Sequence, residues 1–273
     1  MTLHRVRVPR EVAEGVSARW PSVGTVWHGQ VLSELAALCQ RYKVTPVHTF
    51  DARYSLVVET ARGDGTRLVM RSTPDPLGIF QAEVSQSLAK VGAGPQVHEV
   101  LQTAIGVWTV ADRISPGDSL YYRPGSIESL AATLNLLQGQ AAPIPEMPTL
   151  GDWLRGRLSD ENPIDIPPGR SPASPQERQR ALALLASLES TTSNNLCHGD
   201  ASSNNVLHSD SKLQLIDPRG ISGELAYDVA VAAWKTASDE ESLVRRALTL
   251  AKLVGVELQR VEAWLTIATA ARV

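Results

Sequence analysis

Leu196-Cys-His-Gly-Asp-Ala-Ser-Ser-Asn-Asn-Val-Leu-His208 and, one turn later, Leu215-Ile-Asp-Pro-Arg-Gly220 are the stretches that decide how this chain is read. They contain His198-x-Asp200, then Asn205 five residues past that aspartate, then Asp217 twelve residues further at the end of an apolar run. Two short strands are expected around Asn205–His208 and Leu213–Ile216, with Ser209-Asp-Ser211 as their turn.

Phosphoryl transfer from ATP needs these residue types at such spacing, because its transition state is stabilised by positioning and charge neutralisation. A carboxylate must orient the attacking hydroxyl and take its proton, which suits Asp200. Asn205 can offer an amide oxygen to a metal from the same loop, and Asp217 an anionic ligand from the adjoining strand. Ligation by oxygen alone fits Mg²⁺ better than a softer metal. His198 is expected beneath the loop, fixing its backbone. Ser202, Ser203 and Asn204 read as backbone-bonding residues, since no G-x-S-x-G elbow accompanies them.

Upstream lie helical patterns at Ile127–Gln138, Leu150–Leu158 and Gln176–Leu188, with a proline-rich loop from Asn162 to Pro175. Downstream, from Ala226 onward, the pattern is helix after helix. Before Ser115-Pro-Gly117 the character differs. Tyr54–Thr60 and Thr66–Ser72 are β-rich runs flanking an Asp64-Gly65 turn, a hairpin signal. A helix follows from Ile79 to Val91, then strand candidates at Gln96–Leu101 and Gly106–Ile114. A helix in two pieces, broken at Trp20-Pro-Ser-Val-Gly24, precedes them all. The expectation is an α+β fold with a small β-rich N-terminal lobe, residues 1–113, and a larger helical C-terminal lobe, residues 114–273.

The 273 residues carry a net charge of −3, which gives no long-range pull toward nucleic acid or an anionic membrane. No run approaches the ~20 apolar residues of a membrane span, and the opening MTLHRVRVPREV has no apolar signal core, so the expectation is a cytoplasmic protein. Cys39 and Cys197 belong to no CxxC or Cys/His cluster, so no zinc site is read and both are expected as reduced, buried thiols.

His198-Gly-Asp200, where protein kinases have His-Arg-Asp, resembles the aminoglycoside phosphotransferase family. Ile216-Asp-Pro-Arg-Gly-Ile-Ser-Gly-Glu-Leu-Ala-Tyr-Asp-Val-Ala230 is similar to its streptomycin 6-phosphotransferase and hydroxyurea phosphotransferase branch. Val8-Pro9, Trp20-Pro21, Gly24 and Trp27, with Leu32, Leu38-Cys39, Arg41 and Tyr42, look like that branch as well. The resemblance runs over most of the chain, thinly across residues 120–190. It implies a protein-kinase-like bilobal fold. It also implies that Asp228 is the structural carboxylate bracing the catalytic loop, and that Trp108–Arg113 is a hinge whose backbone between Val110 and Asp112 bonds adenine.

One departure stands out. Kinases place a lysine on the third N-lobe strand, paired with a helix glutamate. Here that strand carries Arg71, with Glu83 as candidate partner, and Lys43 and Lys90 sit elsewhere. A glycine-rich phosphate loop is also absent, leaving that work to Thr49–Ser55. The donor is expected to be ATP, with GTP as the alternative. Acidic side chains such as Asp152, Asp160, Glu161, Asp165, Asp239, Glu240 and Glu241 read mostly as solvated faces. Glu224, close after Asp217, is the expected substrate contact. The function so implied is ATP-dependent transfer of the γ-phosphate to a hydroxyl of a cationic antibiotic, streptomycin first, by a monomer whose partner is that small molecule. The alternatives are a kinase of a cyclic-peptide antibiotic, a sugar or an amino alcohol, and a nucleotide-binding pseudokinase.

Overall fold

The computed structural model describes residues 6–161, 163, 166 and 171–273. By internal contacts the chain divides into two compact units: residues up to Ala82 with Pro95–Arg113, and Glu83–Gly94 with Ile114–Val273.

The first unit opens with α1 (Arg10–Arg19) and α2 (Pro21–Tyr42). Their junction is a single residue, Trp20, whose N–H bonds back to Val16 O while Pro21 starts the next helix. Proline is preorganised for that first helical position and lacks the N–H that would go unsatisfied there. The sequence signal had extended this break to Gly24. That glycine is instead helical, and a Cβ on it would lie 3.1 Å from the Val16 carbonyl oxygen of α1.

Strands β1 (Val44–Phe50), β2 (Leu56–Arg62) and β3 (Arg67–Thr73) follow, then α3 (Gly78–Lys90), whose residues from Glu83 on group with the second unit, and then β4 (Val97–Gln102) and β5 (Val107–Asp112). They form one antiparallel sheet in the order β1-β2-β3-β5-β4. β1 was not among the expected strands, and it contains Pro46, a residue disfavoured inside sheets. It survives at the sheet edge, with the register shifting between Pro46 and His48, where a missing N–H is tolerated. One face of the sheet carries Leu56, Val58, Met70 and Trp108 against Trp27, Val31, Leu35 and Leu38 of α2. The two buried indoles find acceptors: Trp27 Nε1 donates to Ser72 Oγ at 3.0 Å, and Trp108 Nε1 to Glu34 Oε2 at 2.7 Å.

The second unit is mainly helical. β6 (Pro116–Ser119), α4 (Ile127–Asn135), α5 (Leu150–Ser159) and α6 (Pro175–Glu189) lead to β7 (Asn195–Leu196), β8 (Val206–Ser209), β9 (Leu213–Leu215) and β10 (Ser222–Gly223). The chain closes with α7 (Leu225–Thr236), α8 (Glu240–Val254) and α9 (Leu258–Ala270). Ser174 and Glu177 form a reciprocal capping box that starts α6. Strands β6-β8-β9 make one small sheet and β10-β7 another. Because β8 and β9 pair antiparallel and β7 pairs with β10, the loops leaving β7 and β9 end beside one another. Helix α7 is buried from Ala226 to Ala233, which its run of alanines and valines permits, and it packs against α8 and α9. Asp165 and half of the proline-rich stretch from Asn162 to Pro175 lie outside the described residues. Among the described residues no helix is long and apolar enough to cross a membrane.

Candidate active site

The loop after β7 is held from below by α7. Asp228 in the first turn of that helix has no solvent exposure, and accepts the His198 N–H at 2.9 Å and the Gly199 N–H at 2.8 Å. The Cys197 thiol also donates to it. Burial pushes the Asp228 pKa up, opposed by His198 and by the two backbone donors. Burial and the neighbouring carboxylate drive the Cys197 thiol well above its ordinary range.

His198 is fully buried, and both ring nitrogens are committed. Nε2 lies 2.9 Å from the Ile216 carbonyl, which can only accept, so this nitrogen donates; Nδ1 accepts the Asp200 N–H at 3.2 Å. With its lone pair so used, His198 ties the loop to β9 rather than exchanging protons with a ligand. The Ile216 N–H donates to Asn205 O at 2.9 Å, so the residue before Asp217 is held on both its polar groups.

Asp217 then takes φ 54°, a left-handed conformation uncommon for any residue but glycine, though aspartate tolerates it better than most. Gly199 has φ 78°, and a Cβ there would come within 2.6 Å of Arg219 Cβ, so only glycine fits. Asn205 spends its Nδ2 on the Asp200 carbonyl at 3.0 Å, which leaves the amide Oδ1 as its remaining acceptor. The Asp200 side chain meets Arg219, with Nη2 2.9 Å from Oδ2. The second unit thus brings together His198, Asp200, Asn205, Asp217 and Asp228. Among the described residues no group of three or more His, Cys, Asp or Glu converges as a metal cage. A Mg²⁺ ion that keeps several waters and phosphate ligands needs no such cage.

Glu224 departs from expectation. Its side chain is 9% exposed, and both oxygens are taken: Arg260 Nε donates to Oε1 at 2.6 Å and Nη2 to Oε2 at 2.8 Å, while Trp264 Nε1 donates to Oε1 as well. This carboxylate holds the Arg260 guanidinium above its ordinary pKa. A group so engaged cannot serve as the substrate contact expected of it.

In the first unit, Arg71 on β3 donates from Nη2 to Gln81 Oε1 at 2.9 Å, and Gln81 Nε2 donates to Asp75 Oδ2 at 3.0 Å. Glu83 groups with the second unit. Val110 is paired on both sides, with Met70 of β3 and Glu99 of β4, and the Asp112 N–H donates to Gln96 O at 2.9 Å. The Asp112 carboxylate meets His98 Nε2 at 2.7 Å. The sheet therefore claims the interior ladder position of Val110 and the N–H of Asp112.

A family model described as the phosphotransferase enzyme family matches residues 45–264. The chain belongs to that family. Several solved structures share its fold. The aminoglycoside phosphotransferase APH(4)-Ia, as a thermostable mutant in ternary complex with ADP and hygromycin B, aligns at 15% identity and TM-score 0.59 over 85% of this chain and 88% of that one. The choline kinase LicA from Streptococcus pneumoniae aligns at 10% identity and TM-score 0.61 over 88% and 89%. A macrolide 2'-phosphotransferase type I aligns at 16% identity and TM-score 0.55 over 88% and 89%. Comparison with curated proteins gives no match.

Two neighbours of this phosphotransferase's loop were missed in the sequence. Arg219 could have been found, since Pro218 alone separates it from Asp217 and so restricts where it can point. Trp153 could not, because it comes from α5 and reaches the loop only through the fold. Its ring lies 5.0 Å from the Arg219 guanidinium.

Proposed function

We propose that this phosphotransferase is an ATP- and Mg²⁺-dependent kinase that moves the γ-phosphate to a hydroxyl of a small molecule. The observation that carries this reading is that the loop bearing Asp200 and Asn205 is hydrogen-bonded to the residues on either side of Asp217, through Ile216 N–H to Asn205 O and Arg219 N–H to His198 O. Asp200 orients the acceptor hydroxyl and takes its proton as the new oxygen–phosphorus bond forms and ADP departs. The donor set fits a hard cation, because Asn205 turns its N–H₂ to the Asp200 carbonyl and keeps its amide oxygen, while Asp217 adds an anionic oxygen. When bound, Mg²⁺ supplies neutralisation of phosphate charge. Arg71, held by Gln81, takes the place of the usual lysine on the donor phosphates. His198 and Asp228 hold the loop. ADP in the APH(4)-Ia complex supports a nucleotide donor, and GTP is the donor to compare with ATP.

For the acceptor, the resemblance of Ile216–Ala230 favours streptomycin or a related aminoglycoside, with the protein acting as a cytoplasmic monomer. The engagement of Glu224 by Arg260 favours a second reading, in which the acceptor is less cationic: a cyclic-peptide antibiotic, a sugar or an amino alcohol. The test measures ADP release and mass gain of 80 Da-type phosphorylation products across such a panel, using the parent and Asp200→Asn. The kinase reading expects acceptor-dependent ADP release that falls ~10²–10⁴-fold in the variant while folding is retained. Equal turnover in both proteins would remove Asp200 from the reaction, and no turnover at all would favour the pseudokinase.

A further inference from the structure

Arg219 stands on the candidate proton acceptor itself. Its Nη2 is 2.9 Å from Asp200 Oδ2, and the two side chains are only 29% and 24% exposed. A mobile surface arginine gives up so much side-chain entropy on pairing that it contributes little. This one is ordered before it pairs. Its backbone N–H donates to His198 O at 2.8 Å, its guanidinium lies 5.0 Å from the Trp153 ring centroid, and its Cβ fills the space that Gly199 leaves open. Among the described residues, Asp200 Oδ1 receives no hydrogen bond from a side chain or backbone group.

We propose that Arg219 is a positioning residue for phosphoryl transfer, pinning one oxygen of Asp200 so that the other, Oδ1, is presented to the acceptor hydroxyl. The inference rests on Asp200 being the proton acceptor. In the step it serves, the hydroxyl proton passes to Asp200 Oδ1, the acceptor oxygen bonds to the γ-phosphorus, and the bond from that phosphorus to the β-γ bridging oxygen breaks to release ADP. A guanidinium on Oδ2 stops the carboxylate from rotating away, and a misplacement of about 1 Å in such a group costs on the order of 10²-fold in rate.

The experiment compares the parent with Arg219→Gln, Arg219→Lys, Asp200→Asn and the double variant Asp200→Asn/Arg219→Gln. It reads single-turnover ADP formation from Mg·ATP with water and with streptomycin as acceptors, ATP affinity by calorimetry, and melting temperature. Arg219→Gln is expected to lower kcat by at least ~30-fold with ATP affinity within ~3-fold of the parent, and Arg219→Lys to recover part of the loss. In the Asp200→Asn background the Arg219→Gln change is expected to cost nothing more, because the arginine acts through that carboxylate. Near-parent turnover in Arg219→Gln, or losses that multiply in the double variant, overturns the proposal. If Asp200→Asn keeps its turnover, or the parent has none, the kinase reading and this inference fall together. If Asp200→Asn is inactive but Arg219→Gln is not, only the inference falls. Should Arg219→Gln fail to fold, Trp153→Leu removes the stacking partner and keeps both charges. It is expected to lower kcat in the same direction with ATP affinity held, and unchanged kcat overturns the proposal.

Discussion

The Asp228 carboxylate accepts the Gly199 N–H at 2.8 Å from a position with no solvent exposure. Its other oxygen accepts the His198 N–H, so one helix side chain holds two consecutive backbone donors of the loop that carries Asp200. Removing it strands both donors in the interior, and each such group costs ~1–3 kcal/mol. Asp228→Ala is therefore expected to lower the urea unfolding free energy by about 3 kcal/mol or more. A loss under about 1 kcal/mol would mean that water replaces the carboxylate and that the brace is dispensable.

The Asp228 brace was expected only from the family resemblance, whereas Asp200, Asn205 and Asp217 were legible from their spacing beside short strands. His198 and Asp200 follow one short strand, Asp217 another, and Asp228 opens the helix after them. Glu224 was misread for the opposite reason. Its partners Arg260 and Trp264 come from α9, 36 and 40 residues on, and no local pattern announces a charge pair closed by helix packing. A carboxylate near an active loop looks free until the element that covers it is known. The β-rich region was read in outline, but β1, which contains Pro46, was not among the strands expected. At a sheet edge the missing N–H has no partner to disappoint.

Glu224→Gln tests that correction. Breaking one half of a mostly buried ion pair leaves the other charge uncompensated, at a cost of ~3–5 kcal/mol for fully buried pairs. Arg260 is 23% exposed, so a smaller loss of about 2–3 kcal/mol in chemical denaturation is expected, with the acceptor KM unchanged. A variant of parent stability with a raised acceptor KM would return Glu224 to substrate binding.

The cysteines give a pH dependence. Both are free and buried, and burial pushes the Cys39 thiol up to about 11. A folded pKa above the unfolded value means that the native state holds the proton more tightly. The stability from Cys39 is then complete below its ordinary value near 9.0 and drains as the pH rises through about 11. Urea unfolding from pH 7 to 11 should show this decline in the parent and a shallower one in Cys39→Ala. At pH 8 neither thiol should react with a disulfide reagent until denaturant is added; prompt labelling of either one would contradict the burial.

Arg71 is tethered to Gln81, which is itself tethered to Asp75, so its guanidinium is presented from a fixed support. If it replaces the usual lysine, Arg71→Ala should raise the ATP KM by about 10-fold, roughly the 1.4 kcal/mol of a charge-assisted phosphate contact. Arg71→Lys should recover little, because lysine cannot keep both a fork to Gln81 and a phosphate contact. An unchanged KM in Arg71→Ala would leave the residue as part of the β3–α3 support alone.

Metal dependence separates Asp217 from Asn205. Asp217 brings a full negative charge on a backbone held left-handed at φ 54°, whereas Asn205 brings a neutral amide oxygen whose companion N–H₂ is tied to the Asp200 carbonyl. A hard divalent cation gains far more from the first than from the second. Asp217→Ala should therefore abolish most of the Mg²⁺-induced gain in ATP affinity, while Asn205→Ala should lose a smaller part of it. Asn205→Ala carries a second effect that Asp217→Ala lacks, since it leaves the Asp200 carbonyl with the Ser202 N–H as its remaining donor and loosens the loop, so its kcat should fall even at saturating Mg²⁺. Calorimetric titration of ATP with and without Mg²⁺ reads the first effect, and turnover at saturating metal reads the second. ATP binding to the parent that is indifferent to Mg²⁺ would remove both residues from a metal role. Equal losses in the two variants would mean that charge is not what distinguishes them, and that the loop contact of Asn205 governs both.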